Sequence, residues 1–268
     1  MRYVAPARGS VDRSVFGRMP LAAWRDYAGL LEGEAWPSIS QLNAHLPAQA
    51  AQHFVAQSPV LLADRLHYEQ RIAEHGQIAT REHNWHDLLN ALIWLRYPDL
   101  KQALNRRQIA EIAHMGPRQR SRSQYALTQF DEGGVIVLLR DPALLALWDV
   151  HDWHGLFWRH RQAWLDGTIQ LELFGHALLE LALNPASLLV GKALVFQSET
   201  ASMDIVRSES ARVIADGQWL NDPLELRPLP LAGLPGWREE NADEAFHRTT
   251  ACYQPKREGR GYPPVSVI

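Results

Sequence analysis

Cysteine is almost missing from this chain: Cys252 is the single one in 268 residues. An intramolecular disulfide is therefore excluded, and so is a zinc cluster built from cysteine thiolates. No uninterrupted apolar run approaches the roughly 18 residues that a membrane-spanning helix requires, so no membrane association through a helix is expected. Charge of one sign is also lacking. Lys and Arg number 27 against 30 Asp and Glu, a net charge of −3, so no global field draws the protein to nucleic acid or to an anionic membrane. Nucleic acid is an unlikely partner on that ground, although local basic patches stay open. Glycine-rich phosphate loops and the Gly-x-Ser-x-Gly elbow are absent from the sequence. The N-terminal stretch MRYVAPARGSVDRSVFGRMP carries charges without a continuous apolar segment, so it does not read as a secretory signal, and a cytoplasmic location is the expectation.

What the chain does hold is apolar material and histidine. Hydrophobic residues make up 46% and charged residues 21%, enough for a substantial core in one large domain or in one domain with an appendage. Twelve histidines and ten tryptophans are both numerous for this length. Histidine titrates near neutrality and is the commonest metal ligand, so its placement matters most.

The punctuation of the sequence predicts a series of helices. Leu21–Leu31 is a short candidate, and Ser58-Pro59 reads as a cap opening a helix over 59–74 that Gly76 ends. Asn84 can cap a helix over 84–97, with Asp87 at the position where a carboxylate suits the positive helix end. Pro98 closes that helix and can begin the next, Asp99–His114. After the basic loop Arg118–Gln124, Tyr125–Phe130 and Val135–Leu139 flank Asp131-Glu132-Gly133-Gly134 and read as a β-hairpin. Helical character returns at 141–149 and from Trp153 to about Leu183, with a break near Asp166-Gly167. Lys192–Gln197 is a third strand candidate, and a helix follows over about 201–216. From Gly217 the chain is rich in Pro and Gly. The reading is a helix-rich α+β domain over 1–216 with a small antiparallel sheet, and an irregular C-terminal arm, 217–268, packed on the same domain by Trp219, Leu229, Leu231, Leu234 and Trp237.

Polar side chains on otherwise apolar segments are the candidates for chemistry. In HNWHDLLNALIW, residues 83–94, apolar residues surround the helix on nearly every side, which predicts burial. His86 and Asn90 share one face beside Asp87, and burying them requires partners. Capping of the helix by Asn84 and Asp87 explains part of this stripe and a functional pocket explains the rest. In LELFGHALLELALNP, residues 171–185, Glu172, His176 and Glu180 recur at i, i+4 and i+8 and would line one helix face. A carboxylate beside an imidazole fixes its tautomer and raises its basicity, which serves a general base or a metal ligand. Glu172 reads as a solvated edge, while His176 and Glu180 read as buried; Gly175 suggests a close approach by another element. Asp131 and Glu132 sit where a strand would end, a position suited to catalytic carboxylates but also to a plain turn. His151-Asp152-Trp153-His154 lacks the carboxylate of a metalloprotease motif and reads as a capping or surface feature. Arg118, Arg120 and Arg122 of the basic loop could hold a phosphate or simply lie in solvent; Arg122 is taken as a ligand-binding candidate.

Four blocks, NWHDLLNALIWLRYPDLKQALN (84–105), LTQFDEGG (127–134), FGHALLE (174–180) and PLPLAGLPGW (228–237), resemble the signature blocks of a bacterial family of unknown function, number 3025. The resemblance implies polar family positions at Asn84, His86, Asp87, Asn90, Asp131, Glu132, His176 and Glu180. Ser123-Gln124-Tyr125 stands before Ala126-Leu127-Thr128, where the family pattern would place an Arg-Asp pair, so such a pair has no part in the site here. Residues and resemblance together predict a pocket in which helix 84–97 faces helix 171–183, closed by the Asp131-Glu132 turn.

Two functions fit that pocket. One is a hydrolase in which His86, Asp87, Asp131, Glu132, His176 and Glu180 act on a small molecule, with Asn84 and Asn90 binding it. In its metal-assisted form His86, His176 and Glu180 would hold a divalent transition metal, since mixed His and carboxylate ligands suit Zn, Mn or Fe better than Mg or Ca. The other is a non-catalytic binding or structural protein whose polar cluster is a satisfied core network.

Overall fold

Residues 3–116 and 119–268 are described by the computed structural model, and over them the chain is helix-rich α+β. In chain order the first part carries α1 (Ala28–Leu31), α2 (Ile39–Asn43), β1 (His53–Ala56), α3 (Tyr68–His75) and β2 (Gln77–Thr80). Then come α4 (Trp85–Arg96), α5 (Pro98–Met115), α6 (Arg122–Gly133), β3 (Gly134–Leu139), α7 (Ala143–Asp149) and α8 (Arg161–Leu165). β4 (Ile169–Leu173), α9 (His176–Leu181), β5 (Val190–Gln197) and α10 (Met203–Ala215) follow, and β6 (Arg227–Pro230), α11 (Glu244–Thr249) and β7 (Ser266–Val267) complete the order. Among the described residues no helix is long and apolar enough to cross a membrane.

The sheet is mixed, which corrects the expectation of an antiparallel one. Its order is β4-β3-β5-β6, with β7 also pairing β5. β3 runs antiparallel to β4, with Val135 opposite Leu173, and parallel to β5, with Val135 opposite Ala193. β6 is antiparallel and β7 parallel to β5. The reason lies in β3 itself: every residue from Gly134 to Leu139 is buried. A strand covered on both faces is the kind that takes a parallel neighbour. A second, two-stranded parallel sheet pairs β1 with β2.

The expected hairpin does not form, because residues 125–130 belong to α6. Ser121 and Gln124 make a reciprocal capping box, and Leu127 and Phe130 face the core three residues apart. That helical start outweighs the strand-like look of YALTQF. Past the break expected near Asp166-Gly167, the helix expected to run to about Leu183 starts instead as a strand. Ile169, Leu171 and Leu173 alternate with Gln170 and Glu172, a period of two that makes β4 rather than helix. Glu172 therefore stands on a strand, where Arg207 holds it through Nη2 at 2.6 Å and Nε at 3.0 Å. It does not join His176 and Glu180 on one helix face. Upstream, 59–74 divides into a 3₁₀ turn, Leu61–Asp64, and α3, because Arg65 takes a left-handed φ of 60° between them. Leu21–Tyr27 is likewise a 3₁₀ segment leading into α1.

α4, by contrast, matches its prediction closely. Asn84 caps it by accepting from the Asp87 N–H at 3.0 Å, and Leu89, Leu92 and Ile93 are fully buried. Pro98 occupies the first turn of α5. Residues 217–268 contribute β6 to the sheet and lay Leu229, Leu231 and Leu234, each no more than 2% exposed, into the same core as α4 and β3. Deleting 217–268 strips one side of β5 of its partners and opens that core to water. The expected outcome is aggregation or loss of a cooperative melting transition; a truncated chain that melts like the full one would show the arm to be dispensable.

Candidate functional site

α4, α9, α5 and α6 converge on a polar cavity of about 390 Å³, and the polar residues of four different elements meet in it. His86 comes from the first turn of α4, His176 from the start of α9, Asp131 from the last turn of α6 and Lys101 from α5. Gly175 makes this meeting possible. A Cβ there would lie 2.5 Å from the Glu132 carbonyl oxygen and 2.6 Å from the Gly133 backbone, so only glycine lets α9 start against the end of α6. Gly175→Ala is therefore expected to lower the melting temperature, by an overpacking penalty of about 1–3 kcal/mol. A Gly175→Ala protein as stable as the wild type would show that α9 can retreat freely.

A chain of hydrogen bonds runs through the site. Glu180 Oε2 meets His86 Nδ1 at 2.8 Å, and His86 Nε2 meets His176 Nε2 at 3.0 Å, with the two rings edge-on at 77°. His176 is 4% exposed. Its Nδ1 is shielded from solvent, has no hydrogen-bond partner and lies 4.0 Å from Asp131 Oδ2. Asp131 Oδ1 accepts from Lys101 Nζ at 2.6 Å, and Lys101 also donates to Asn90 Oδ1 at 2.8 Å. Asn90 Nδ2 in turn donates to the Tyr68 hydroxyl at 3.1 Å.

These contacts set the charges. The hydrogen bond that His86 donates to Glu180 raises the pKa of His86 above its ordinary value, against the opposing effect of burial. Burial depresses His176 to about 4, an effect to which Lys101 and His86 add and which Asp131 opposes. His176 is thus a neutral imidazole over the physiological range. Burial opposes ionisation of Asp131, but the Lys101 ammonium, His176 and His86 together hold that carboxyl below its usual range. Glu69, bonded by Asn105 Nδ2 at 2.6 Å, is pushed the other way by burial.

The other expected site residues divide. Asn90 and Glu132 line the cavity, as does Asp87. The Asp87 carboxylate, however, is held by Arg81, through Nη2 at 2.7 Å, Nε at 3.1 Å and the backbone N–H at 2.6 Å. It fastens α4 to the end of β2 and makes no contact with the imidazoles. Asn84 is a helix cap. Arg122 is not in the cavity wall; its guanidinium is paired with Asp222 at 2.5 and 2.8 Å. Arg118 lies outside the described residues, and Arg120 lines the cavity. His151 and His154 lie apart, His151 on Tyr262 and His154 on Glu244.

The trio His86, His176 and Glu180 does not form one coordination sphere. Glu180 and His176 approach opposite nitrogens of the His86 ring, so no single ion can touch all three. Among the described residues no group of three or more His, Cys, Asp and Glu side chains converges on a point that would hold a metal. Sequence reasoning also missed Lys101, Tyr68, Glu69 and Asn105. One signal was present: Lys101 lies between Leu100 and Ala103-Leu104 on a buried helix face, and a buried lysine needs a carboxylate.

The chain matches the model of a family described as a protein of unknown function (DUF3025) over residues 52–257, and it belongs to that family. His86, Asp131, His176 and Glu180 all fall within the matched span. No curated protein and no solved structure matches it.

The Glu180–His86 pair gives a signed pH response. His86 has a raised folded pKa, so its contribution to stability is complete below the ordinary 6.5 and is lost as pH rises through the folded value. His176 has a depressed one, so stability falls as pH drops from 6.5 towards about 4. Glu180→Gln removes the carboxylate that holds the His86 cation. The His86 midpoint, followed by imidazole NMR, is expected to move to lower pH; an unmoved midpoint would show that Glu180 does not set it.

Proposed function

We propose that the cavity binds a small polar substrate and that His176, backed by His86 and Glu180, acts in it as a general base for a hydrolytic step. The observation that carries this reading is the unpartnered Nδ1 of His176 beside Asp131. A buried nitrogen left without a partner costs about 1–3 kcal/mol, and a purely structural network would close on it. A substrate hydroxyl or a water oxygen can lie within hydrogen-bond reach of both Nδ1 and Asp131 Oδ2, which are 4.0 Å apart. Asp131, anchored by Lys101, orients that oxygen while Nδ1 takes its proton.

The rest of the chain says where the charge goes. As Nδ1 gains a proton, the proton on His176 Nε2 passes to His86 Nε2, and His86 keeps its Nδ1 proton on Glu180. Positive charge thus leaves a ring whose protonation burial opposes and settles on one whose protonation the carboxylate favours. The relay works only while His86 is neutral, so the rate rises with pH through the His86 ionisation. The closed contacts Lys101–Asn90–Tyr68 are the part of the cluster that a non-catalytic binding protein would share.

A panel of ester, amide, glycoside and phosphodiester substrates, assayed from pH 5 to 9, tests this reading. Turnover is expected to fall by about 10²–10⁴ in His176→Ala and to shift its rising limb to lower pH in Glu180→Gln. Absence of turnover by the wild type across the panel, or full turnover by His176→Ala, overturns it.

A further inference from the structure

A second polar cluster lies away from this cavity, where the C-terminal arm folds back on β5 and β6. Tyr262 is its centre. The Arg260 guanidinium carbon lies 4.4 Å from the Tyr262 ring centroid, Arg227 lies 5.1 Å and the Lys256 ammonium 5.7 Å from it. The ring is fixed by its hydroxyl, 2.7 Å from His151 Nε2. Arg260 is fixed as well, donating through Nη2 to the carbonyls of Leu224 at 2.6 Å and Leu226 at 3.2 Å.

Three cations around one ring repel one another, and only one of them is neutralised. Asp149 takes Arg227 through two contacts, 2.7 and 3.2 Å. Asp222, the other carboxylate at the border, is held by Arg122. Among the described residues no carboxylate pairs with Arg260, Lys256, Arg257 or Lys192, and Glu258 in the same loop pairs with none of them. Arg260 Nη1 is shielded from solvent and has no partner. Lys192, half-buried on β5 opposite Pro228, feels the same excess of positive charge: burial lowers its pKa, and Arg260 and Arg257 lower it further. Gly259 and Gly261 flank Arg260 with open space where side chains would stand, so the loop backbone is accessible to a ligand.

We propose that Arg260 and Lys256, gathered around Tyr262, form an anion site that takes a small phosphate-bearing ligand. A phosphate group carries up to two charges and several acceptor oxygens. It can therefore answer a guanidinium and an ammonium at once, which a single carboxylate does less well. This inference stands on residues outside the His86–His176 cavity and does not depend on the activity proposed there.

Inorganic phosphate, titrated into the full chain at constant ionic strength with chloride as the control, tests the site by backbone amide NMR. Saturable shifts are expected at Gly259, Gly261 and Tyr262 with phosphate and not with chloride. Lys256→Gln and Arg260→Gln are each expected to weaken binding about tenfold, the loss of one charge-assisted contact. Because Arg260 also ties down two carbonyls, Lys256→Gln decides the matter if Arg260→Gln loosens the arm. Shifts that do not saturate, that chloride reproduces, or that persist unchanged in Lys256→Gln overturn the proposal.

Discussion

A neutral, buried imidazole in the cavity wall is the feature around which the cavity is arranged. His176 is buried where protonation is opposed, and its Nε2 has one neighbour, the Nε2 of His86, at 3.0 Å. Two imidazole nitrogens that close must share one proton, so the state of either ring depends on the other. Glu180 then decides which ring carries added charge, because it touches only His86. The separation of the two rings into an acid-resistant one and a cation-favouring one follows from where α4 and α9 place them.

Backbone packing enforces that placement. Gly175 starts α9 against the last turn of α6, which carries Asp131 to within 4.0 Å of His176. Leu178 and Leu179 bury the other side of α9 in the core, and Val135 to Leu139 of β3 lie fully buried beneath it. The Lys101 ammonium, buried on α5, needs Asp131 and Asn90 to satisfy it. A charge of each sign is thus held at one end of the cavity, and a hydrogen-bonded chain of Glu180, His86 and His176 at the other. Elsewhere on the sheet the C-terminal arm supplies β6 and buried leucines, and it brings cations together of which only Arg227 has a carboxylate, Asp149. The two polar clusters have opposite character: in one the charged groups are internally paired, with His176 Nδ1 and Trp94 Nε1 left without partners, and the other is short of negative charge.

Much of the site was legible because it is carried by local patterns. Asn84 before an apolar helix announces a cap, and polar His86 and Asn90 on a helix that is apolar all round announce a need for partners. His176 and Glu180 were legible for the same reason, four residues apart on α9. Asp131 was found for the wrong reason, as a turn residue after a strand, when it is the end of a helix that starts at a Ser121–Gln124 capping box. Glu172 was grouped with His176 by a helical spacing that the alternating strand Ile169–Leu173 overrides. Lys101, Tyr68 and Arg81 were not found, since each draws its meaning from a partner on another element.

By itself, then, the sequence determined the α+β class, α4, α5 and α10, the buried apolar run of β3, and the polar residues that need partners. It could do so because caps, periodicities and breakers act within a few residues. Only the tertiary structure decided that the sheet is mixed, that Asp87 belongs to Arg81, that Arg122 belongs to Asp222, and that His86 stands between Glu180 and His176. The partners of His86 lie 94 and 90 residues away along the chain, and no local pattern encodes which nitrogen each of them meets. That choice of nitrogen is what separates a hydrogen-bonded chain from a ring of metal ligands.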